Sequence, residues 1–124
     1  MIRGIGVDIV DIGRVRNVIE REEMRFLEKV FTDTEIAYCN AKHNRCQHFA
    51  ARFAAKEAVS KALATGWAGD FRWKNVEITN DASGQPHVTV HGGLKEQLGS
   101  SRILLSLSHA DLHVVAVAVI EDVQ

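Results

Sequence analysis

The sequence predicts one α+β domain, residues 1–124, in which a long central helix packs on a mostly antiparallel sheet. The chain of 124 residues lies within the usual length of a single domain. A run of strong helix formers extends from His48 to Thr65. Short apolar segments with turn residues between them stand on both sides of that run, and they are typical of strands.

The N-terminal segment, Ile2 to Ile12, is predicted to be the first strand. It is apolar apart from a few residues, among them Gly4, Gly6 and Asp8. Glycine inside a strand indicates that another backbone comes close. Asp8 would therefore lie within a strand that a second element approaches closely.

Helices are predicted from this strand to residue 65. Apolar residues recur at helical spacing between residues 15 and 27, and the polar cluster 21–23 is a candidate break. Thr32 or Asp33 caps a further helix. The long helix then follows, and Gly66 is expected in its C-terminal capping position.

Beyond Gly66 the apolar period changes from helix to strand. The predicted elements are a hairpin of residues 76–78 and 88–90 around a turn at 81–84, a short helix at 94–98, and two strands at 103–107 and 114–120. The last of these strands is apolar on both faces. It must be covered on both sides, by a helix or by a second subunit.

Charge and cysteine content exclude several classes of protein. A net charge of -1 argues against a protein whose main partner is nucleic acid. The longest uncharged stretches are well short of the ~18 apolar residues of a membrane helix, and Asp8 interrupts any signal-peptide core. We therefore expect a cytoplasmic protein with reduced cysteines.

A zinc site is the alternative for four residues that lie close together in the sequence. They are Cys39, His43, Cys46 and His48. The spacing of the two cysteines is not the tight pair that structural zinc sites favour, so ordinary cysteines are the preferred interpretation.

Four charged residues on the long helix require explanation. Glu57 and Lys61 are four apart on a narrow stripe, which is typical of a surface ion pair or of a site. Arg52 and Lys56 fall within the arc of the large apolar residues, where a charge is costly unless it reaches water or an anion. Snorkelling and contact with phosphate both remain open for these two.

A magnesium site would give the carboxylates a use. Mg²⁺ commonly takes one or two protein carboxylates and fills its octahedron with water and phosphate oxygens. Asp8 and Glu57 would suffice, and Lys61 could then neutralise a leaving phosphate. From the residues alone this is one hypothesis among several.

Three motifs carry a resemblance to a known family. They are Gly4-Ile-Gly-Val-Asp8, the block from Arg52 to Lys61, and Leu105-Ser-Leu-Ser-His109. In their order and separation they resemble the holo-acyl-carrier-protein synthases, the short branch of the 4′-phosphopantetheinyl transferase superfamily. The resemblance implies that superfamily's fold. It also implies transfer of 4′-phosphopantetheine from coenzyme A to a serine of an apo acyl carrier protein in fatty acid biosynthesis, with release of adenosine 3′,5′-bisphosphate.

The resemblance also implies roles for the site residues. Asp8 and Glu57 would bind Mg²⁺, and Lys61 would stabilise the leaving nucleotide. Glu57 or a metal-bound water would take the proton of the carrier serine, and the sequence leaves this choice open. All three residues are expected to be catalytic.

Four further residues are expected to bind coenzyme A by the same resemblance. Arg52, Lys56 and His109 would surround the nucleotide phosphates, and Gly66 would let its loop pass close to the cofactor. For His109 a plain turn residue is the alternative.

The partners implied are an acyl carrier protein and further copies of the chain. Arg14, Arg21 and Arg25 are spaced by seven and four, which projects them along one side if the helix is continuous, and an acidic carrier-protein helix would dock there. A solvated helix face is the alternative, and relative to the family one residue is inserted near Glu22 to Arg25. Relatives of this length form trimers with active sites between subunits.

Two other functions fit part of the pattern. A magnesium-dependent phosphohydrolase would use Asp8, Glu57 and Lys61 but pass the phosphoryl group to water. A trimeric coenzyme A or carrier-protein binding module would bind without turnover.

Overall fold

The computed structural model describes residues 1–64 and 71–123, and this part of the chain forms five α-helices and five strands. The elements are β1 (Ile2–Asp11), α1 (Ile12–Glu22), α2 (Met24–Val30), α3 (Asp33–Asn40), α4 (Arg45–Leu63), β2 (Val76–Asn80), β3 (Pro86–Val90), α5 (Gly92–Leu98), β4 (Arg102–His109) and β5 (His113–Glu121). A 3₁₀ turn at Trp73–Asn75 precedes β2. Within the described residues, no helix is long and apolar enough to cross a membrane.

The strands pair antiparallel, as the sequence predicts, but they divide between two sheets. One sheet has the order β1-β5-β4, and β2 pairs with β3 in a separate hairpin. Val117 in the central strand β5 stands opposite Val7 of β1 and Ser106 of β4. The predicted α+β class with a long helix on an antiparallel sheet is therefore confirmed.

Close contact between α4 and β1 explains the glycines of the first strand. A Cβ atom added to Gly6 would lie 2.0 Å from the carbonyl oxygen of Ala58, and one added to Gly4 would lie 2.1 Å from that of Ala62. Side chains alternate along a strand, so Asp8 shares this helix-facing side of β1. The glycines thus bring the helix backbone close enough for Asp8 to meet side chains of α4.

The other side of α4 carries the large apolar residues and packs against α2, the residue that follows α2, and the 3₁₀ turn. The ring of Phe49 lies 5.0 Å from that of Phe31, and the ring of Phe53 stacks 5.4 Å from that of Trp73. Aromatic contacts of this kind contribute about 0.5–1.5 kcal/mol beyond their burial. Hence α4 is the central element, with backbone contact on one side and aromatic packing on the other.

Two helix boundaries follow the predicted signals and one does not. Thr32 caps α3, and its hydroxyl accepts from the backbone of Glu35 in a capping box. The predicted break at 21–23 occurs at Glu23, between α1 and α2. In contrast, α4 starts at Arg45 rather than His48, because the Arg45 side chain can lie over the Phe49 ring, 5.6 Å away, and so keep its charge in water. Gly66 lies outside the described residues.

Glu23 adopts a positive φ of 52°, which side chains rarely tolerate. We predict that Glu23→Gly raises the free energy of unfolding by about 1 kcal/mol, because glycine adopts this conformation without a clash of its side chain. Urea denaturation measures the change. Glu20→Gly is the matched control: it lies inside α1 and should lower the same quantity by about 1 kcal/mol. Equal losses in both variants would contradict the prediction.

Candidate active site

Asp8, Glu57 and Lys61 meet where β1 crosses α4. Lys61 Nζ donates hydrogen bonds to Asp8 Oδ1 and to the carbonyl oxygen of Val7, both at 3.0 Å. Lys61 lies one turn beyond Glu57 on α4, so both side chains project from the same side of the helix. The three residues predicted to be catalytic are therefore brought together by a strand and a helix.

The two carboxylates of this cluster repel each other. Partial burial raises the pKa of Glu57, the Asp8 carboxylate raises it further, and Lys61 acts in the opposite direction. A neighbouring like charge disfavours the ionised form, and a bound cation would relieve that cost. The Lys61 side chain is half exposed, whereas that of Asp8 is largely buried.

A pocket of about 370 Å³ opens beside the carboxylates. Its polar part includes Asp8, Glu57 and Arg14, and its remaining wall is mostly apolar, with Val15, Val18, Phe26 and Phe53. Apolar pockets with a few convergent polar groups are typical of ligand sites. The pocket can hold a reacting polar group against the carboxylates while apolar atoms cover it from water.

The donor set at this pocket fits Mg²⁺ and not a structural zinc ion. Two carboxylates are sufficient for Mg²⁺, which completes its shell with water and phosphate oxygens. Among residues 1–64 and 71–123, no three His, Cys, Asp or Glu side chains are grouped as a metal site. Cys39 is instead buried, and burial raises the pKa of its thiol to about 11. Asp8 and Glu57 are the residues that could hold the metal.

The three arginines predicted to bind a partner do not lie on one continuous helix. Arg14 is in the first turn of α1 and lines the active-site pocket. Arg21 lies in the last turn of α1, whereas Arg25 lies in α2 beyond the break at Glu23. Both still border Glu22, at 3.9 Å for Arg21 and 3.4 Å for Arg25, and both are exposed. The prediction that the three arginines share one side of a helix required a continuous helix, and this helix is broken. All three nevertheless lie on the α1–α2 segment.

Lys56 lies in the core of the protein and not at an open site where nucleotide phosphates could bind. Its side chain is fully buried, and its Nζ donates to Glu35 Oε1 at 2.8 Å, to the Val76 carbonyl at 2.7 Å and to the Trp73 carbonyl at 3.0 Å. These bonds use all three protons of the ammonium group. The expectation that Lys56 contacts nucleotide phosphates is not supported, because the residue has neither exposure nor a free donor.

Arg52 is also directed into the protein. Only 3% of the residue is exposed, its Nη2 donates to Asn80 Oδ1 at 2.5 Å, and its guanidinium lies 4.2 Å from the centre of the Tyr38 ring. Within the described residues its Nε has no partner. A residue this deeply buried does not extend its charge to water, so snorkelling does not describe Arg52. Contact with nucleotide phosphates is not supported, because the guanidinium lies against Tyr38 and bonds to Asn80.

His109 is exposed at the end of β4, opposite Val114 of β5. Burial lowers the pKa of His48, and the charges of Arg52, Lys42 and His109 lower it further. His109 therefore lies in the same region as Arg52 and His48. Its predicted contact with nucleotide phosphates stays a prediction, and the one for Gly66 falls outside the described residues.

Two features of the site were missed by sequence reasoning. Phe26 and Phe53 line the active-site pocket, although their helical spacing indicates only core residues. Glu35 completes the capping box of α3, and it also pairs with Lys56, which the sequence analysis did not predict. A charged residue within an apolar helix face is the signal that could have suggested such a buried partner.

Comparison with known proteins places this arrangement in a family. Residues 4–118 match the profile of the 4′-phosphopantetheinyl transferase superfamily. The chain is 48% identical over 124 residues to the holo-[acyl-carrier-protein] synthase of Clostridium acetobutylicum, with 98% of each chain covered. It is 45% identical to that of Geotalea daltonii, over 98% of this chain and 99% of the relative.

Solved structures agree with the sequence comparison. The fold is similar to the crystal structure of holo-[acyl-carrier-protein] synthase from Neisseria meningitidis, with a TM-score of 0.88, 34% identity and coverage of 98% of this chain and 100% of the other. It is also similar to a holo-(acyl-carrier-protein) synthase from Bacillus anthracis in complex with CoA (3′,5′-ADP), with a TM-score of 0.82, 30% identity and 99% coverage of both chains.

Proposed function

The chain belongs to the 4′-phosphopantetheinyl transferase superfamily, and on that premise we propose that it transfers 4′-phosphopantetheine from coenzyme A to a serine of an apo acyl carrier protein. The observation that carries this proposal is the cluster of Asp8, Glu57 and Lys61 at the rim of a partly apolar pocket. Relatives of the same length are holo-acyl-carrier-protein synthases, and one binds CoA (3′,5′-ADP).

The described side chains provide the parts of a phosphoryl transfer. Such reactions depend mainly on positioning and on stabilising charge. Glu57 lies at the pocket with a raised pKa, so its carboxylate is suited to accept the proton of the carrier serine hydroxyl. Lys61 provides a cation one helical turn away, and it stabilises the charge that develops on the leaving 3′,5′-ADP.

Magnesium is the proposed cofactor, and Asp8 and Glu57 are its proposed ligands. When bound, Mg²⁺ supplies positive charge to the phosphate oxygens of coenzyme A. The mutual repulsion of the two carboxylates supports this assignment. Lys61 bonds Asp8 in this structure and so compensates part of the same negative charge.

The carrier protein is proposed to dock on the α1–α2 segment. Arg14 lines the pocket itself, and exposed Arg21 and Arg25 follow along the segment. A basic surface beside the pocket would attract an acidic carrier-protein helix and raise its association rate. The serine would then enter the pocket from the α1 side.

The outer face of the three-stranded sheet supports a homotrimer. On β1 it exposes Ile5 (68%), Val7 (56%) and Ile9 (64%), and Leu104 of β4 is 45% exposed. The half-buried valines of β5 lie between them. The sequence predicts that both faces of β5 are covered, by a helix or by a second subunit. Because α4 covers one face of the sheet, we propose that another copy of the chain covers the outer face. Val7 immediately precedes Asp8, so a copy seated here would border the active site.

We predict that Ile5→Glu converts a trimer into monomers, because the carboxylate would be buried without a partner at the interface. Sedimentation equilibrium should give three times the 13.8 kDa chain mass for the unaltered protein and one chain mass for the variant. Leu112→Glu is the matched control, since Leu112 is equally exposed (67%) but lies in the β4–β5 turn. A monomeric unaltered protein, or a trimeric Ile5→Glu variant, would contradict the proposed assembly.

Intact-mass spectrometry tests the proposed function. An apo acyl carrier protein is incubated with the chain, coenzyme A and Mg²⁺, and parallel reactions omit the metal or the chain. A gain of roughly 340 Da on the carrier that needs both components supports the transfer. Binding of coenzyme A with no mass gain on several carriers would favour the non-catalytic binding module.

The cytoplasm is the proposed location, and the free thiols of Cys39 and Cys46 agree with a reducing compartment.

A further inference from the structure

A second opening lies between α2 and the 3₁₀ turn. It measures about 450 Å³ and is lined by Lys29 of α2 and by Phe71, Arg72, Trp73, Lys74 and Asn75. We call this opening the basic cleft. Nothing in the proposed transfer requires these residues, because Asp8 and Glu57 line a different pocket and Lys61 bonds to Asp8.

The basic cleft concentrates positive charge without compensation from the described part of the chain. Lys29, Arg72 and Lys74 are exposed, and none of them forms an ion pair with a carboxylate among residues 1–64 and 71–123. Three cations around one opening repel one another, and an anionic partner would relieve that repulsion. The half-buried rings of Phe71 and Trp73 provide an apolar wall that such a partner can cover.

A row of aromatic rings joins the basic cleft to the active-site pocket. Phe26 and Phe53 line that pocket and lie 6.0 Å apart, measured between ring centroids. Phe53 stacks on Trp73 at 5.4 Å, and Trp73 contacts Phe71 at 5.3 Å. The cleft therefore begins one ring contact from the wall of the pocket, which is close enough for one docked protein to reach both.

The helix α2 makes the cleft continuous with the proposed docking segment. Arg25 and Lys29 are four residues apart on α2, so they project from the same side of that helix. A partner that contacts Arg25 next to the active site meets Lys29 one turn further on. The cleft also lies on the aromatic side of α4, whereas the face proposed for the trimer lies beyond the sheet on its other side.

We propose that the basic cleft binds an acidic segment of the carrier protein, as a second contact beyond Arg14, Arg21 and Arg25. This inference rests on the proposed function, because the partner is the protein that presents its serine to Asp8 and Glu57. The cations Lys29, Arg72 and Lys74 stand around an open cleft of about 450 Å³. That arrangement suits several carboxylates on a protein surface better than a single phosphate group.

The test is the double variant Arg72→Glu with Lys74→Glu, analysed by steady-state kinetics with varied apo carrier and varied coenzyme A. At low ionic strength the KM for the carrier should rise about tenfold, and the difference should vanish near 0.5 M salt. The values of kcat and of KM for coenzyme A should stay unchanged. Both residues are exposed, so the urea midpoint should also stay close to that of the unaltered protein.

Charge-conserving replacements provide the matched control. Arg72→Lys with Lys74→Arg keeps both cations, and its KM for the carrier should stay within twofold of the unaltered value. An increase in the KM for coenzyme A, with the carrier KM unchanged, would assign the cleft to the nucleotide phosphates and overturn the proposal. An unchanged KM for both substrates would overturn it as well, by showing that the cations are only solvated.

A binding measurement separates this inference from the function on which it rests. Fluorescence anisotropy of a dye-labelled apo carrier, titrated with the unaltered chain and with the double variant, needs no turnover. Failure of phosphopantetheine transfer together with charge-dependent carrier binding would reject the proposed function but keep the cleft. Transfer with equal carrier affinity in both proteins would keep the function and reject the cleft.

Discussion

Replacing Glu57 by glutamine is expected to slow phosphopantetheine transfer by about 10²–10⁴-fold. Glutamine keeps the size of the side chain, but it carries no negative charge and cannot accept the serine proton. Glu57 also lines the pocket, where it lies beside the Asp8 carboxylate and one turn from Lys61. Initial rates from intact-mass spectrometry of the carrier measure the loss.

The matched control is Glu28→Gln, on the exposed surface of α2, which should retain the unaltered rate. A second measurement does not depend on turnover: calorimetric titration of Mg²⁺ in the presence of coenzyme A should show weaker binding to Glu57→Gln than to the control. If Glu57→Gln keeps more than a tenth of the unaltered rate, Glu57 is not a catalytic residue. If Mg²⁺ binds to this variant as tightly as to the control, Glu57 is not a ligand of the proposed metal site.

Replacing Lys56 by methionine is expected to lower the free energy of unfolding by about 3–5 kcal/mol, because it leaves the Glu35 carboxylate buried without its cation. Both side chains have 1% exposure or less. Burial lowers the pKa of Lys56, and the adjacent Glu35 carboxylate opposes that change. The Lys56 ammonium joins α4 to α3 through Glu35, and to the 3₁₀ turn and β2 through two carbonyl oxygens. Its removal therefore weakens the contacts of α4 with three elements. Urea denaturation measures the loss of stability.

A double-mutant cycle distinguishes the ion pair from a simple loss of packing. Adding Glu35→Gln to Lys56→Met should recover part of the stability, because no unpaired charge then stays buried. Lys29→Met is the surface control, and it should change the free energy of unfolding by no more than about 0.5 kcal/mol. Additive losses in the double variant would show that the charge interaction contributes nothing.

The fold could be predicted largely from local patterns. The apolar run of β1, the cap at Thr32 and the run of helix formers in α4 each depend on a few adjacent residues. Their physical causes, side-chain periodicity and local hydrogen bonding, operate within one or two turns of chain. Boundaries were less accurate, as at Arg45, where a contact with Phe49 extends the helix.

The candidate site was predictable where its geometry follows from one helix and one strand. Glu57 and Lys61 are one turn apart, and the glycines of β1 indicate the close approach that brings Asp8 to them. Lys56 was wrongly expected at the phosphates, because helical spacing gives the direction of a side chain but not what lies opposite. What lies opposite is Glu35, from a helix 21 residues earlier in the chain.

The α+β class, the order of the elements and the two motifs that contain Asp8 and the pair Glu57 and Lys61 could be read from the sequence, because they depend on local periodicity and on residue spacing. Which charges are buried, and which meet at the surface, became apparent only from the packing of the folded chain. This packing paired Lys56 with Glu35, and it set Lys29 beside Arg72 and Lys74 around one cleft. Such contacts join residues far apart in the chain, and their energies depend on burial and distance, which only the packed fold defines.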